Sequence, residues 1–184
     1  MPIPPGRYTL GPGDATLTVR TGRAGAAAKA GHDLRIEVVS WSATLAVGES
    51  PAATTLELTA DPRSLRVREG TGGLQPLGDD DRAEIERTIG TKVLGSDPIE
   101  FRSTRVAPAA DGALHVEGDL ALAGRRRPIA FDLDAGDRLT ATATLRQTDF
   151  GIKPYSALFG ALKVRDEVEV AVEGVLPAAA HRPT

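Results

Sequence analysis

Apolar and polar residues alternate with a period of two through most of this chain, and no other feature constrains its fold as strongly. Leu114, Val116, Leu120 and Leu122 fall on one face, His115, Glu117, Asp119 and Ala121 on the other. Ile129, Phe131 and Leu133 alternate with Ala130, Asp132 and Asp134, and Leu139, Ala141, Ala143 and Leu145 with Thr140, Thr142, Thr144 and Arg146. Val168, Val170 and Val172 do so against Glu167, Glu169 and Glu173. The pattern recurs in Leu56, Leu58 and Ala60 and in Leu17 and Val19. Successive side chains of a strand point to opposite faces, so one dry and one wet face per segment marks antiparallel sheet.

The joints are hairpin-sized. Asp111-Gly112 is a favoured two-residue turn, and Ala123-Gly124 and Gly136-Asp137 punctuate the following segments. Residues 99–147 therefore read as a four-stranded up-and-down meander. Leu34 to Val47 reads as one long strand whose phase changes at Val38-Val39, as a bulge would cause, and Val106 is out of step with Phe101 in the same way. One helix is predicted: Asp79, Asp80 and Asp81 crowd its start, and Ile85, Ile89 and Val93 form a single apolar stripe able to cover an opening. About eight to nine strands with one short helix predict an all-β fold. An extended antiparallel barrel is favoured, because closure removes exposed edges.

A length of 184 residues predicts one domain over 1–184, with 177–184 as a loose tail. There is no cysteine, which excludes thiol catalysis and Cys-ligated metals. The net charge of −3 arises from 22 basic and 25 acidic residues well mixed along the chain, with no footprint for nucleic acid. No stretch approaches the ~18 apolar residues of a membrane span. The start, Met1-Pro2-Ile3-Pro4-Pro5-Gly6, shows no secretory pattern, so a cytoplasmic protein is expected.

A barrel of this size either packs its interior or holds one small ligand. Aromatics are 4% of the chain, and the inward positions Ala43, Ala60, Gly118, Ala141 and Ala143 are small. That leaves room for a lumen, although a small filled core fits the same composition. The inward candidates for contact with a ligand are Leu17, Val19, Leu58, Phe101, Leu120, Phe131, Ala141, Ala143, Val168 and Val170, with Trp41 and Phe150 beside them. His32 next to Asp33 could serve acid–base chemistry or touch a headgroup at a barrel end, but adjacent strand residues point to opposite faces, which favours a structural turn or polar cap. Tyr155, Leu158 and Phe159 follow i, i+3, i+4 spacing after Pro154, as in a lid over residues 152–162 or a short helix plugging the end. Arg125-Arg126-Arg127 reads as a solvated hairpin tip. Three scattered histidines form no metal-ligand spacing, so no catalytic residue, metal or cofactor is expected.

Several motifs in order resemble the YceI-like family of polyisoprenoid-binding, lipocalin-like proteins, over nearly the whole chain. Gly6-Arg7-Tyr8-Thr9-Leu10 resembles its opening strand and Ile99-Glu100-Phe101-Arg102-Ser103-Thr104 the strand after its helix. Gly118-Asp119-Leu120-Ala121-Leu122 with Gly124 and Arg127-Pro128-Ile129, then Thr148-Asp149-Phe150-Gly151-Ile152, then Asp166-Glu167-Val168, are similar to later family motifs. Asp14 stands where the family usually has histidine, and Lys29 to Leu34 departs from its aromatic run. The resemblance implies a lipocalin-like barrel whose lumen binds, transports or stores a long isoprenoid or similar lipid without converting it. A homodimer is compatible with this reading. The alternatives are an enzyme acting on a small apolar substrate through His32 or Tyr155, and a filled barrel that binds a protein partner.

Overall fold

The computed structural model describes residues 3–136 and 138–179. Asp137 of one predicted joint, His181 and the predicted tail from residue 180 onward lie outside the described residues. The strands are β1 (Gly6–Leu10), β2 (Ala15–Thr21), β3 (Arg23–Ala24), β4 (His32–Val38), β5 (Trp41–Val47), β6 (Thr55–Ala60) and β7 (Leu65–Gly72), then helix α1 (Asp79–Thr88). They continue as β8 (Ile99–Pro108), β9 (Leu114–Leu122), β10 (Arg125–Ala135), β11 (Leu139–Arg146), β12 (Ser156–Ala157), β13 (Leu162–Val164) and β14 (Glu167–Gly174). Eleven of them form one antiparallel sheet in the order β1-β5-β6-β8-β9-β10-β11-β14-β2-β4-β7; a small second sheet runs β12-β13-β3. The meander β8-β9-β10-β11 is the predicted one.

There are more strands than the alternation predicted because the long one is broken into β4 and β5 and because the short β3, β12 and β13 form a sheet of their own. The chain does not bulge at Val38-Val39: it breaks at Val39-Ser40, and the β4–β7 pairing shifts register between Arg35 and Ile36, where Arg68 of β7 is the extra residue. At the break the Val39 N–H donates to the Ser64 carbonyl and the Asp61 N–H to the Ser40 carbonyl, both at 3.0 Å. The buried Ser64 hydroxyl accepts from the Ser40 N–H at 3.1 Å and donates to the Asp61 carbonyl at 2.8 Å. Those bonds replace the interrupted ladder. β4 and β5 then lie toward opposite ends of the strand order, as do β6 and β7, so the two ends of the curled sheet are joined along the chain itself. The result is a lipocalin-like barrel. A register shift between Ser103 and Arg105 explains why Val106 is out of step with Phe101. The β8–β9 joint is longer than the two residues expected: Ala110–Gly112 form a short helical turn, with Asp111 and Gly112 at positive φ.

β7 ends the sheet, and an edge strand carries unpaired backbone groups. Helix α1 covers it. The Glu86 carboxylate accepts from the Val67 N–H at 2.8 Å, and the Arg82 guanidinium donates to the Arg68 carbonyl at 3.0 Å. Ile85, Ile89 and Val93 pack on the core, as the stripe predicted; the helix continues as one wider turn over Ile89–Val93. At the other end of the strands Tyr8, Ala15, Val106, Val116 and Ala135 are all buried and none lines the cavity, so that end is closed. The Tyr8 hydroxyl donates to the Pro4 carbonyl at 2.8 Å there.

Gly118 shows how closely the wall is built. A Cβ on it would stand 2.4 Å from the Arg102 carbonyl oxygen and 2.5 Å from the Phe101 ring. Gly118→Ala is therefore expected to cost about 1–3 kcal/mol in denaturant unfolding, since backbone and ring must both shift.

An apolar cavity in the barrel

Inside the barrel lies a cavity of about 270 Å³. Its wall consists of the inward rows of nine strands of the large sheet, with Leu10 of β1, Leu65 of β7 and the helical turn adding to it. Leu17 and Val19 of β2, Leu58 of β6, Phe101 of β8, Leu120 of β9 and Phe131 of β10 all stand in it. So do Ala141 and Ala143 of β11 and Val168 and Val170 of β14. Phe101 and Phe131 meet at a centroid distance of 5.4 Å and an interplanar angle of 52°, a tilted aromatic pair. Trp41 completes the group of predicted residues on the wall; its indole N–H is buried and has no hydrogen-bond partner among the described residues.

Five of the sequence candidates are elsewhere. Phe150 is buried but packs outside the wall, in the turn after β11. His32 turns its Nε2 toward the Gln75 carbonyl at 2.9 Å, bridging β4 to the loop after β7. Asp33 accepts from the Arg23 N–H at 2.8 Å, so the pair does not converge on a site. Tyr155, Leu158 and Phe159 form neither a helix nor a plug. They belong to the β12–β13 hairpin, which pairs with β3, and all three are exposed, Phe159 completely. A hairpin tip reproduces helical spacing over five residues by coincidence. Leu158 and Phe159 both have positive φ, a conformation that costs a non-glycine residue about 1 kcal/mol or more.

The sequence reading missed other wall residues. Ile36, Val38 and Leu45 were hidden by the break in the long strand, and Ile152 by its position in a turn; Leu94 lies just beyond the helical stripe. The polar side chains on the wall are Thr21, Thr142 and Gln147, and no titratable side chain is among them. Among the described residues no group of three histidine or carboxylate side chains could hold a metal, and no helix is long and apolar enough to cross a membrane.

Gln147 and Thr21 give the wall its polar end, where β2 passes into β3 and β11 into the Gln147–Phe150 turn, and this end is termed the mouth. Asp166 fastens this turn to the start of β14. Its carboxylate accepts from the Thr148 hydroxyl at 2.6 Å and the Thr148 N–H at 2.8 Å. These bonds, the hydroxyl first, hold the carboxyl below the ordinary aspartate range. A group whose pKa falls on folding stabilises the fold fully above its unfolded value and loses that contribution as pH drops through the lowered one. The clasp is thus expected to persist through neutral and mildly acidic pH and to open only below the usual aspartate titration. In an NMR titration Thr148→Val should move the Asp166 midpoint upward; an unchanged midpoint would refute the assignment.

An antiparallel barrel with an apolar lumen and no ionisable group on its wall defines a lipocalin-like fold. The model of the YceI-like domain matches residues 8–176, and the chain belongs to the YceI-like family. No curated protein matches the sequence. Among solved structures it is similar to Burkholderia cenocepacia BcnA, with a TM-score of 0.62 at 15% identity over 86% of this chain and 94% of that one. A YCEI protein of Campylobacter jejuni gives a TM-score of 0.52 at 13% identity over 80% and 85% of the two chains. At these identities the likeness establishes the fold.

Proposed function

We propose that the barrel binds, carries or stores a long, thin apolar molecule of the isoprenoid class in its lumen, without converting it. The observation that carries this reading is the cavity itself, about 270 Å³ bounded almost wholly by hydrocarbon. Small residues, Ala43, Ala60, Ala141 and Ala143, stand on its wall where larger ones would have filled it. Each buried CH₂ contributes about 0.8 kcal/mol, so roughly ten of them supply about 8 kcal/mol, equivalent to micromolar affinity before the costs of association, and a longer chain must offset those costs. A buried N–H without a partner loses free energy, so the Trp41 indole favours a ligand with an oxygen acceptor over a plain hydrocarbon. The absence of titratable side chains from the wall supports binding over acid–base catalysis, since His32 and Tyr155 stand outside it.

The test is extraction and mass spectrometry of what copurifies with the full chain, followed by displacement of a fluorescent fatty probe. Polyprenyl alcohols should displace the probe better than saturated hydrocarbons of equal length. Failure of every polyprenyl compound to displace it, with no lipid copurifying, would overturn the proposal.

A further inference from the structure

The β12–β13 hairpin stands beyond the mouth of the barrel, because β13 pairs with β3, the continuation of β2 past Thr21. Its tip carries Leu158 and Phe159 with positive φ, followed by Gly160, also positive. Asn-Gly is the low-strain choice for such a turn. Here strained backbone presents two large apolar side chains to solvent: Phe159 is 113% exposed and Leu158 58%. Tyr155, at the foot of the hairpin, and Leu74, in the loop after β7 at the same end, are exposed as well.

The charge around this tip is uneven. Three of the four lysines of the sequence, Lys29, Lys153 and Lys163, lie on segments at this end and are exposed, although the chain is net acidic; Lys92 stands apart in the turn after α1. Lys163 lies on β13 and Lys153 just before the hairpin, and Lys29 sits in the turn packed against β13. Of the nearby acids, Asp33 and Asp166 are already engaged, by the Arg23 N–H and by Thr148. Asp149 is exposed at the turn, and Asp79, Asp80 and Asp81 crowd the start of α1.

We propose that this hairpin is an interfacial anchor that docks the mouth of the barrel on an anionic lipid surface. A convex tip of two or three apolar side chains is far smaller than the ~800 Å² per partner that a stable protein interface buries. It matches an insertion into the headgroup boundary, with lysines left at the level of the phosphates. Docking would place the cavity mouth against the membrane, where an apolar ligand could pass without crossing water. That loading role rests on the function proposed above; the docking itself does not.

The experiment is flotation of the full chain with vesicles of phosphatidylcholine, alone or mixed with phosphatidylglycerol. Binding is expected to the mixed vesicles and to weaken with salt. The double variant Leu158→Asn, Phe159→Gly relieves the positive φ values, so it should fold at least as well while losing vesicle binding about 10-fold or more. Lys153→Glu with Lys163→Glu should lose binding to the mixed vesicles specifically. Both variants should keep displacement of the fatty probe in the absence of vesicles. If the wild type ignores both vesicles, or the tip variant binds as well as the wild type, the anchor does not exist. Self-association that disappears with the tip variant, without vesicle binding, would make the hairpin a contact between copies and overturn the proposal. Vesicle binding without any probe binding would retain the anchor and overturn the lumen function.

Discussion

Ala143→Trp is expected to reduce binding of a fluorescent fatty probe by about 100-fold or more while the protein stays folded. Ala143 stands on the cavity wall, paired across the ladder with Val170 of the neighbouring strand. An indole there enters space that no protein atom occupies, so it displaces ligand and leaves the packing of the sheet in place. The same substitution in a filled core would overpack it and cost about 1–3 kcal/mol. Measuring the thermal midpoint beside the binding constant separates the two cases. Unchanged stability with lost binding supports an open lumen, whereas lost stability, or equal binding by both proteins, would leave a filled barrel.

Val116→Asp should have the largest effect on the fold. Val116 is fully buried at the closed end, opposite Val106 on one side and Phe131 on the other. A carboxylate there would have no partner, and the expected loss exceeds about 4 kcal/mol, enough to unfold a domain of ordinary stability. A milder pair of substitutions tests the same asymmetry between the two ends. Val116→Ala leaves a void in close-packed surroundings and should cost about 2 kcal/mol. Val170→Ala, on the lumen wall, enlarges a space that already exists and should cost roughly half as much. Equal costs in urea titrations would show that the barrel is packed alike throughout.

Residues were legible in the sequence wherever the period of two alone decides the outcome. Leu17 and Val19, Phe131, Ala141 and Ala143, Val168 and Val170 all reach the cavity wall because alternation on a strand is local geometry. The stripe Ile85, Ile89 and Val93 was legible for the same reason, with a different period. Ile36 and Val38 were not, since their strand breaks two residues later and the phase of the pattern breaks with it. Tyr155, Leu158 and Phe159 were misread because five residues cannot distinguish a helical turn from a hairpin tip. His32 was placed beside a ligand from its position near a barrel end, but the Gln75 carbonyl takes its ring.

By itself the sequence determined most strands of the large sheet with their inward faces, and the helix with its apolar stripe, because each depends on residues a few positions apart. The tertiary structure alone decided where the long strand turns its corner, since Val39 and Ser64 meet only when β4, β5, β6 and β7 are in register. It also decided that the barrel retains a void and that the 156–164 hairpin stands outside its mouth. A void is the difference between the circumference that the strand pairings set and the side chains that fill it, and neither quantity is written in any short stretch of chain.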